Sequence, residues 1–267
     1  MIGRAIGLGI AAARDRTARL LVRLGVRPNY LTLAGMVLTT AAGVCYAVGA
    51  SSGFGWSLSP RAAGNIYLLL AGVLLLLSSA CDMLDGAVAK IGGSGTALGA
   101  FLDSTLDRYG DFVVYAGLAA HYASMRPANA TFVLLCMVAL FNAFMVSYAR
   151  ARGEGLSVAS SVGYWQRGER STAILIATFA YNMPALVVQQ AVLPALTVVR
   201  RILHVKAVIE GRRPVVDPRE GGLGLKIRLW RWPRMTLPYD LVTAVNIAFL
   251  LFARFRLFDP LGGWLAG

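Results

Sequence analysis

Residues Cys81–Asp111 read CDMLDGAVAKIGGSGTALGAFLDSTLDRYGD. Five aspartates, Asp82, Asp85, Asp103, Asp107 and Asp111, fall between NIYLLLAGVLLLLSSA (65–80) and FVVYAGLAAHYA (112–123). Both flanks are apolar enough to sit in lipid. Asp82 and Asp85 are three apart, and Asp103, Asp107 and Asp111 step by four, so each set lies along one helix face. Gly92, Gly93 and Gly95 form a link short enough to leave the two helices antiparallel neighbours. Carboxylates from both helices then converge. Charge in hydrocarbon is costly and marks function by default. One or two divalent cations would relieve the repulsion, and all-oxygen donors suit Mg²⁺, Mn²⁺ or Ca²⁺ rather than Zn²⁺. A carboxylate-held metal pair about 3.5–4 Å apart is a standard device for phosphoryl displacement. The small residues Gly86, Ala89 and Gly99 leave room for a ligand above such ions. The blander reading pairs two of the carboxylates with Arg108 and Lys90.

Composition agrees with a membrane setting. Of 267 residues, 57% are hydrophobic, and the formal net charge is +13. That is more apolar than the 45–50% or so of soluble domains. Read with the apolar runs, the basic excess points to a membrane surface and not to nucleic acid. Cys45, Cys81 and Cys136 lie far apart inside apolar runs, so neither a disulfide framework nor a zinc site is expected. No cleavable leader is expected either.

The chain is expected to be an all-α integral membrane protein. Residues 1–29 read as an interfacial helix, with Arg16, Arg19 and Arg23 on one face, ended by Pro28. Residues 30–209 read as six transmembrane helices. Four are near Tyr30–Val48, Ile66–Val88, Ala97–Tyr122 and Ala130–Ala149. Ser171–Val208 is too long for one span of about 20 residues and is split near Asn182–Val187. With the N-terminus cytoplasmic, the outer loops near Ala50–Gly64, Ala123–Asn129 and Asn182–Val187 carry only Arg61 and Arg126. The remaining loop arginines fall inside, as the positive-inside rule requires. Residues 210–267 read as a basic cytoplasmic loop, with Trp230 and Trp232 at headgroup level, followed by an apolar helix. That helix is expected to be interfacial or shallowly re-entrant, with a seventh span as the alternative. The tail as a whole is expected near the mouth of the site.

The signature Asp82-x-x-Asp85-Gly86-x-x-Ala89-Lys90, eight residues, then Gly99-x-x-x-Asp103-x-x-x-Asp107 resembles that of the CDP-alcohol phosphotransferase family. Lys90 stands where the family usually has Arg, which keeps the charge and loses the planar fork. The resemblance covers about Arg4 to Val208. It implies that Asp82, Asp85, Asp103 and Asp107 hold two Mg²⁺ (or Mn²⁺) ions, which grip the diphosphate of CDP-diacylglycerol. It implies that Asn29, Thr32, Asp82, Asp85, Gly86, Ala89, Lys90 and Gly99 bind the CDP moiety. It makes Asp107 the general base toward an alcohol, with CMP leaving. It also implies a homodimer in a bacterial inner membrane, with the site on the cytoplasmic side.

SYARARGEG, GERS and LTVVRRIL are similar to segments of the prokaryotic phosphatidylinositol-phosphate synthase branch, with ARGEG in place of the usual ARAEG. Carried over, Ser147, Arg150, Arg170 and Arg201 bind the phosphate of inositol phosphate. Glycerol 3-phosphate and serine are the runner-up acceptors. Arg152, Arg167 and Arg200 read as ordinary inner-loop charge, and His204 as a surface residue. A cation-binding transporter is the rival class, but its carboxylates would be expected at mid-membrane and not beside a glycine-rich turn.

Overall fold

The computed structural model describes residues 2–49, 66–212, 222–230, 232, 234, 236–255, 257 and 259–266. The outer loop expected at Ala50–Gly64, with Arg61, and residues 213–221 of the basic segment lie outside the described residues. Among the described residues the regular elements are all helices. They are α1 (Ile2–Arg23), α2 (Pro28–Gly49), α3 (Ile66–Ile91), α4 (Ala97–Ser124), α5 (Ala130–Glu154), α6 (Arg167–Phe179), α7 (Met183–Ile209), α8 (Leu223–Leu229), α9 (Leu237–Phe252) and α10 (Pro260–Ala266).

Local chemistry sets the boundaries. Gly25, at φ +73°, closes the turn after α1. Pro28 then opens α2, where its missing N–H and fixed φ cost nothing. The Thr96 hydroxyl caps α4 by accepting from the Gly99 N–H at 3.0 Å. Asn129 caps α5 by accepting from the Phe132 N–H at 2.9 Å. The turn expected at Asn182–Val187 falls earlier, between Phe179 and Met183. Pro184 is tolerated in a first helical turn, so it begins α7 and does not end α6.

By length and composition, α2, α3 and α5 can each cross a bilayer. Outward-facing apolar side chains are common on them: Val44 is 60% exposed, Leu77 51% and Phe141 62%. Such faces suit lipid as the surrounding solvent. The interior joins Tyr46 of α2, Leu68 of α3, Leu118 of α4, Phe132 of α5 and Leu186 of α7 in one buried cluster. Lipid removes most of the hydrophobic drive between helices, so close packing and interhelical hydrogen bonds must hold them together. Both are present. A Cβ on Gly43 would lie 2.8 Å from the Val113 carbonyl oxygen, and one on Gly117 would lie 2.9 Å from the Gly43 carbonyl carbon. The backbones of α2 and α4 therefore touch, and Gly43 is a packing residue. Thr178 donates to the Ile174 carbonyl at 2.7 Å, so Tyr46 is the donor in its 2.6 Å bond to Thr178.

α9 follows α6 from end to end. The Tyr239 hydroxyl donates to Glu169 at 2.9 Å near the start of both helices. Tyr164 and Thr243 share a 2.9 Å hydrogen bond, and Gln189 donates to Asn246 Oδ1 at 3.1 Å. At the far end Asn182 Nδ2 donates to the Leu250 and Ala253 carbonyls at 2.8 and 2.9 Å. Leu250 joins the buried core cluster, while Leu241 and Val245 face outward. The run of uncharged residues looked too short for a span, yet α6 beside it is also only 13 residues long. Beyond α9, the Asp259 carboxylate accepts from the Ala130 and Thr131 N–H groups at 3.0 and 2.9 Å. His204 departs from its expected surface position. It is 3% exposed, with Nε2 3.1 Å from the Ala159 carbonyl oxygen, because the segment after α5 folds over it.

Two outcomes follow from these contacts. Gly117→Leu should push α4 off the α2 backbone and lower the melting temperature by several degrees, since overpacking typically costs about 1–3 kcal/mol. The Thr131 hydroxyl and the backbone N–H groups of Gly262, Thr131 and Ala130 hold the Asp259 carboxyl down to about 2. A depressed folded value means the attachment is complete above the unfolded value near 3.8 and is lost as pH falls through about 2. The melting-temperature gap between wild type and Asp259→Asn should therefore be open at pH 6 and close as the pH approaches 2.

Candidate active site

The end of α3 and the start of α4 form an antiparallel pair joined by the glycine turn. One carboxylate oxygen each from Asp82, Asp85 and Asp103 lie within 4.8 Å of one another. At that spacing, and at an effective dielectric constant near 20, each pair of ionised groups repels by about 3–4 kcal/mol. Asp85 is buried, and its Oδ2 accepts from the Thr32 hydroxyl at 2.8 Å. Asp103 Oδ1 is buried without a hydrogen-bond partner. An oxygen-only donor set with an orphaned buried carboxylate oxygen fits a divalent cation such as Mg²⁺ or Mn²⁺.

The next residues along α4 meet arginines instead. Asp107 pairs with Arg167, the first residue of α6, whose NH2 also reaches Asp82 Oδ1 at 3.1 Å. Arg108 lies 3.8 Å from Asp107 and 3.5 Å from Asp111, and it donates to the Ser147 hydroxyl. Arg170, 2% exposed, reaches Asp111 at 3.3 Å. Arg167 is thus a site residue, contrary to its expected role as loop charge. The available signal was its position one helical turn before Arg170, which puts both on one face. Arg108 does neutralise carboxylates as the blander reading allowed, whereas Lys90 is exposed.

These groups line a cavity of about 540 Å³ that includes Thr32, Asp82, Asp85, Asp103, Asp107 and Arg167. Asn29, Gly86, Ala89, Lys90 and Gly99 are not in its lining. Asn29 lies beside the start of α4, its Oδ1 3.4 Å from where a Gly99 Cβ would project, and the space around Gly86 is open. Ser147 and Arg170 stand one layer behind the lining, joined to it through Arg108 and Asp111. Arg150 and Arg201 are not brought to the cavity. Arg150 pairs with Glu154 at 2.8 Å on the exposed end of α5. Arg201 is 2% exposed and donates to the Val162 carbonyl at 3.1 Å and to the Val146 carbonyl, so it ties the segment after α5 to the helix end.

Apolar outward faces and an acidic cavity walled partly by arginine define a membrane protein with a polar site at its helix ends. The sequence profile of the CDP-alcohol phosphatidyltransferase family matches residues 26–209, and the chain belongs to that family. It is an integral membrane enzyme. An archaetidylinositol phosphate synthase of Methanothermobacter thermautotrophicus is 33% identical over 189 residues, covering 68% of this chain and 85% of that protein. A phosphatidylinositol phosphate synthase of Mycolicibacterium smegmatis is 33% identical over 167 residues, covering 62% of this chain and 68% of that protein. The solved structure of the Mycobacterium tuberculosis phosphatidylinositol phosphate synthase with CDP-DAG bound matches with a TM-score of 0.60 at 27% identity. It covers 72% of this chain and 92% of that one. The same enzyme in complex with manganese and citrate matches with a TM-score of 0.59, covering 72% and 88%.

Arg167 contacts Asp82 and Asp107, and a divalent cation held by Asp82, Asp85 and Asp103 would neutralise an overlapping set of carboxylates. Arg167→Gln should therefore lower the melting temperature in EDTA by several degrees more than in Mn²⁺. Equal losses in the two buffers would contradict a shared electrostatic role.

Proposed function

We propose that the protein transfers a phosphatidyl group from CDP-diacylglycerol to inositol phosphate, releasing CMP, in a reaction that requires divalent metal. The observation that carries this reading is the convergence of Asp82, Asp85 and Asp103 in one cavity with Asp107 and Arg167. Asp82, Asp85, Asp103 and Asp107 would hold two ions. When bound, the metal supplies Lewis-acid neutralisation of the donor diphosphate.

The rest of the step belongs to the chain's own groups. Asp107 is assigned the role of general base, taking the proton from the acceptor hydroxyl. As that proton leaves, the acceptor oxygen bonds to the lipid-side phosphorus of the diphosphate. The bond from that phosphorus to the CMP oxygen breaks, and CMP departs. Arg167, already against Asp107 and Asp82, would follow the phosphate charge as it redistributes. Thr32 holds the Asp85 carboxylate in orientation. Open space at Gly86, with Ala89 and Gly99 nearby, supports a cytidine position at the mouth, where Asn29 and Lys90 also lie.

For the acceptor, the favoured phosphate site is the arginine-rich wall formed by Arg108 and Arg170 with Ser147, behind Asp111. Arg150 and Arg201 would need to change partners to join it. The relatives named as archaetidylinositol and phosphatidylinositol phosphate synthases support inositol phosphate over glycerol 3-phosphate or serine. The same reading makes α2 to α7 six spans with the cavity on the cytoplasmic side of a bacterial inner membrane, and α1 interfacial. α9 is then a seventh span. The homodimer implied by the resemblance is proposed with it.

The test is CMP release by the purified protein in lipid micelles with CDP-diacylglycerol and Mg²⁺. Inositol 1-phosphate, glycerol 3-phosphate, inositol and serine are supplied one at a time. Release is expected with inositol 1-phosphate, and Asp107→Asn should reduce it by about 10²-fold or more. Release only with another acceptor would overturn the acceptor assignment. No release with any of them would overturn the reaction.

A further inference from the structure

We infer that Arg234, in the C-terminal segment beyond the family match, is a phosphate-binding residue of the active site. The inference rests on the reaction proposed above. Arg234 lines the same cavity as Asp82, Asp107 and Arg167, although residues 26–209 supply the rest of that lining. Its guanidinium lies over the first turn of α6. A Cβ on Gly168 would sit 2.9 Å from Arg234 NH2, so the guanidinium lies directly against this turn. Gly168 directly follows Arg167, the residue in contact with Asp82 and Asp107.

The group is held for a purpose beyond packing. Arg234 NH2 donates to Glu169 Oε1 at 3.0 Å, and the Tyr239 hydroxyl donates to the same oxygen at 2.9 Å. The Glu169 side chain is 8% exposed, whereas that of Arg234 is 70% exposed. A guanidinium carries five N–H donors in a rigid fork. Among the described contacts one nitrogen meets Glu169, and the exposed remainder of the fork is open to a ligand. Arginine in this form is the side chain best matched to a phosphate's paired oxygens.

Described residues on either side are docked against the rest of the protein. Upstream, the Gly163 N–H donates to the Leu229 carbonyl at 3.1 Å, and Arg200 stacks 5.3 Å from the Trp230 ring centroid. Downstream, α9 is bound along α6. Arg234 thus sits in a short link between two docked pieces. A tail whose only task was to cover α6 would need no cation in the cavity. The ligand is a phosphate-bearing group, either the donor diphosphate or the acceptor monophosphate.

The test compares wild type, Arg234→Gln and Arg234→Lys in micelles with Mn²⁺. Binding of CDP and of inositol 1-phosphate is titrated separately by calorimetry, alongside KM and kcat for CMP release. Arg234→Gln should weaken one of the two ligands by about tenfold or more, the loss expected for a charged hydrogen bond. KM for that ligand should rise by a similar factor, and Arg234→Lys should recover part of the affinity. Weakened CDP binding assigns Arg234 to the donor, and weakened inositol phosphate binding assigns it to the acceptor. Unchanged affinity for both ligands overturns the inference. So does an equal loss in both variants accompanied by a lower melting temperature, which is the mark of a purely structural ion pair with Glu169. If wild type releases no CMP, the proposed reaction fails while the CDP titration still judges Arg234. Wild type that binds neither ligand overturns both.

Discussion

Three carboxylate oxygens within 4.8 Å of one another, at the end of two apolar helices, are the constraint around which the molecule is arranged. Such a group cannot persist in a membrane protein without positive charge beside it. The fold supplies part of that charge from α6, which begins with Arg167 at the cavity wall, and from Arg108 and Arg170 behind Asp107 and Asp111. The glycine turn after α3 brings the two acidic helix ends together. The contact between Gly35 of α2 and Ser78 of α3, whose hydroxyl donates to the Gly35 carbonyl at 2.9 Å, holds the two helices close enough for Thr32 to reach Asp85. Packing and electrostatics are therefore one problem here. Helices that carry carboxylates must approach closely, and small residues permit the approach.

The same logic explains the C-terminal segment. Its helix is short and bears Tyr239, Thr243 and Asn246, residues that would be unwelcome facing lipid. Each finds a partner on or beside α6 and α7, and the opposite face presents Leu241 and Val245 outward. Interhelical polar contacts of this kind are individually modest, of order 1 kcal/mol or less. Spread over the whole length of α9, they set its direction as well as its attachment. The result is an added helix packed against α6, with Arg234 just ahead of it lining the cavity.

Much of the site was legible because its information is periodic. Spacings of three and four within one stretch specify helix faces, and a glycine link specifies their reversal, so Asp82, Asp85 and Asp103 could be placed together before any coordinates. The break at Pro28 was visible for a similarly local reason. What escaped were pairings between distant segments. Arg167 has the composition of an inner-loop charge, and only its approach to Asp107 makes it part of the site. His204 lies among cationic residues in sequence and is buried by the segment after α5. The pairing of α9 with α6 and α7 through Tyr239, Thr243 and Asn246 also joins segments far apart in sequence. Arg150 and Arg201 show the converse. The resemblance placed them at an anion site, and in this structure a nearby glutamate and two carbonyl groups hold them.

The central claim is that the converging aspartates of α3 and α4 are a divalent-metal site facing the donor diphosphate. The most direct measurement is anomalous diffraction from crystals grown with Mn²⁺ and CDP. The account predicts an anomalous peak bonded to carboxylate oxygens of Asp82, Asp85 and Asp103, with diphosphate oxygens completing the coordination. A peak elsewhere would contradict it, as would CDP bound in the cavity with no metal against these aspartates.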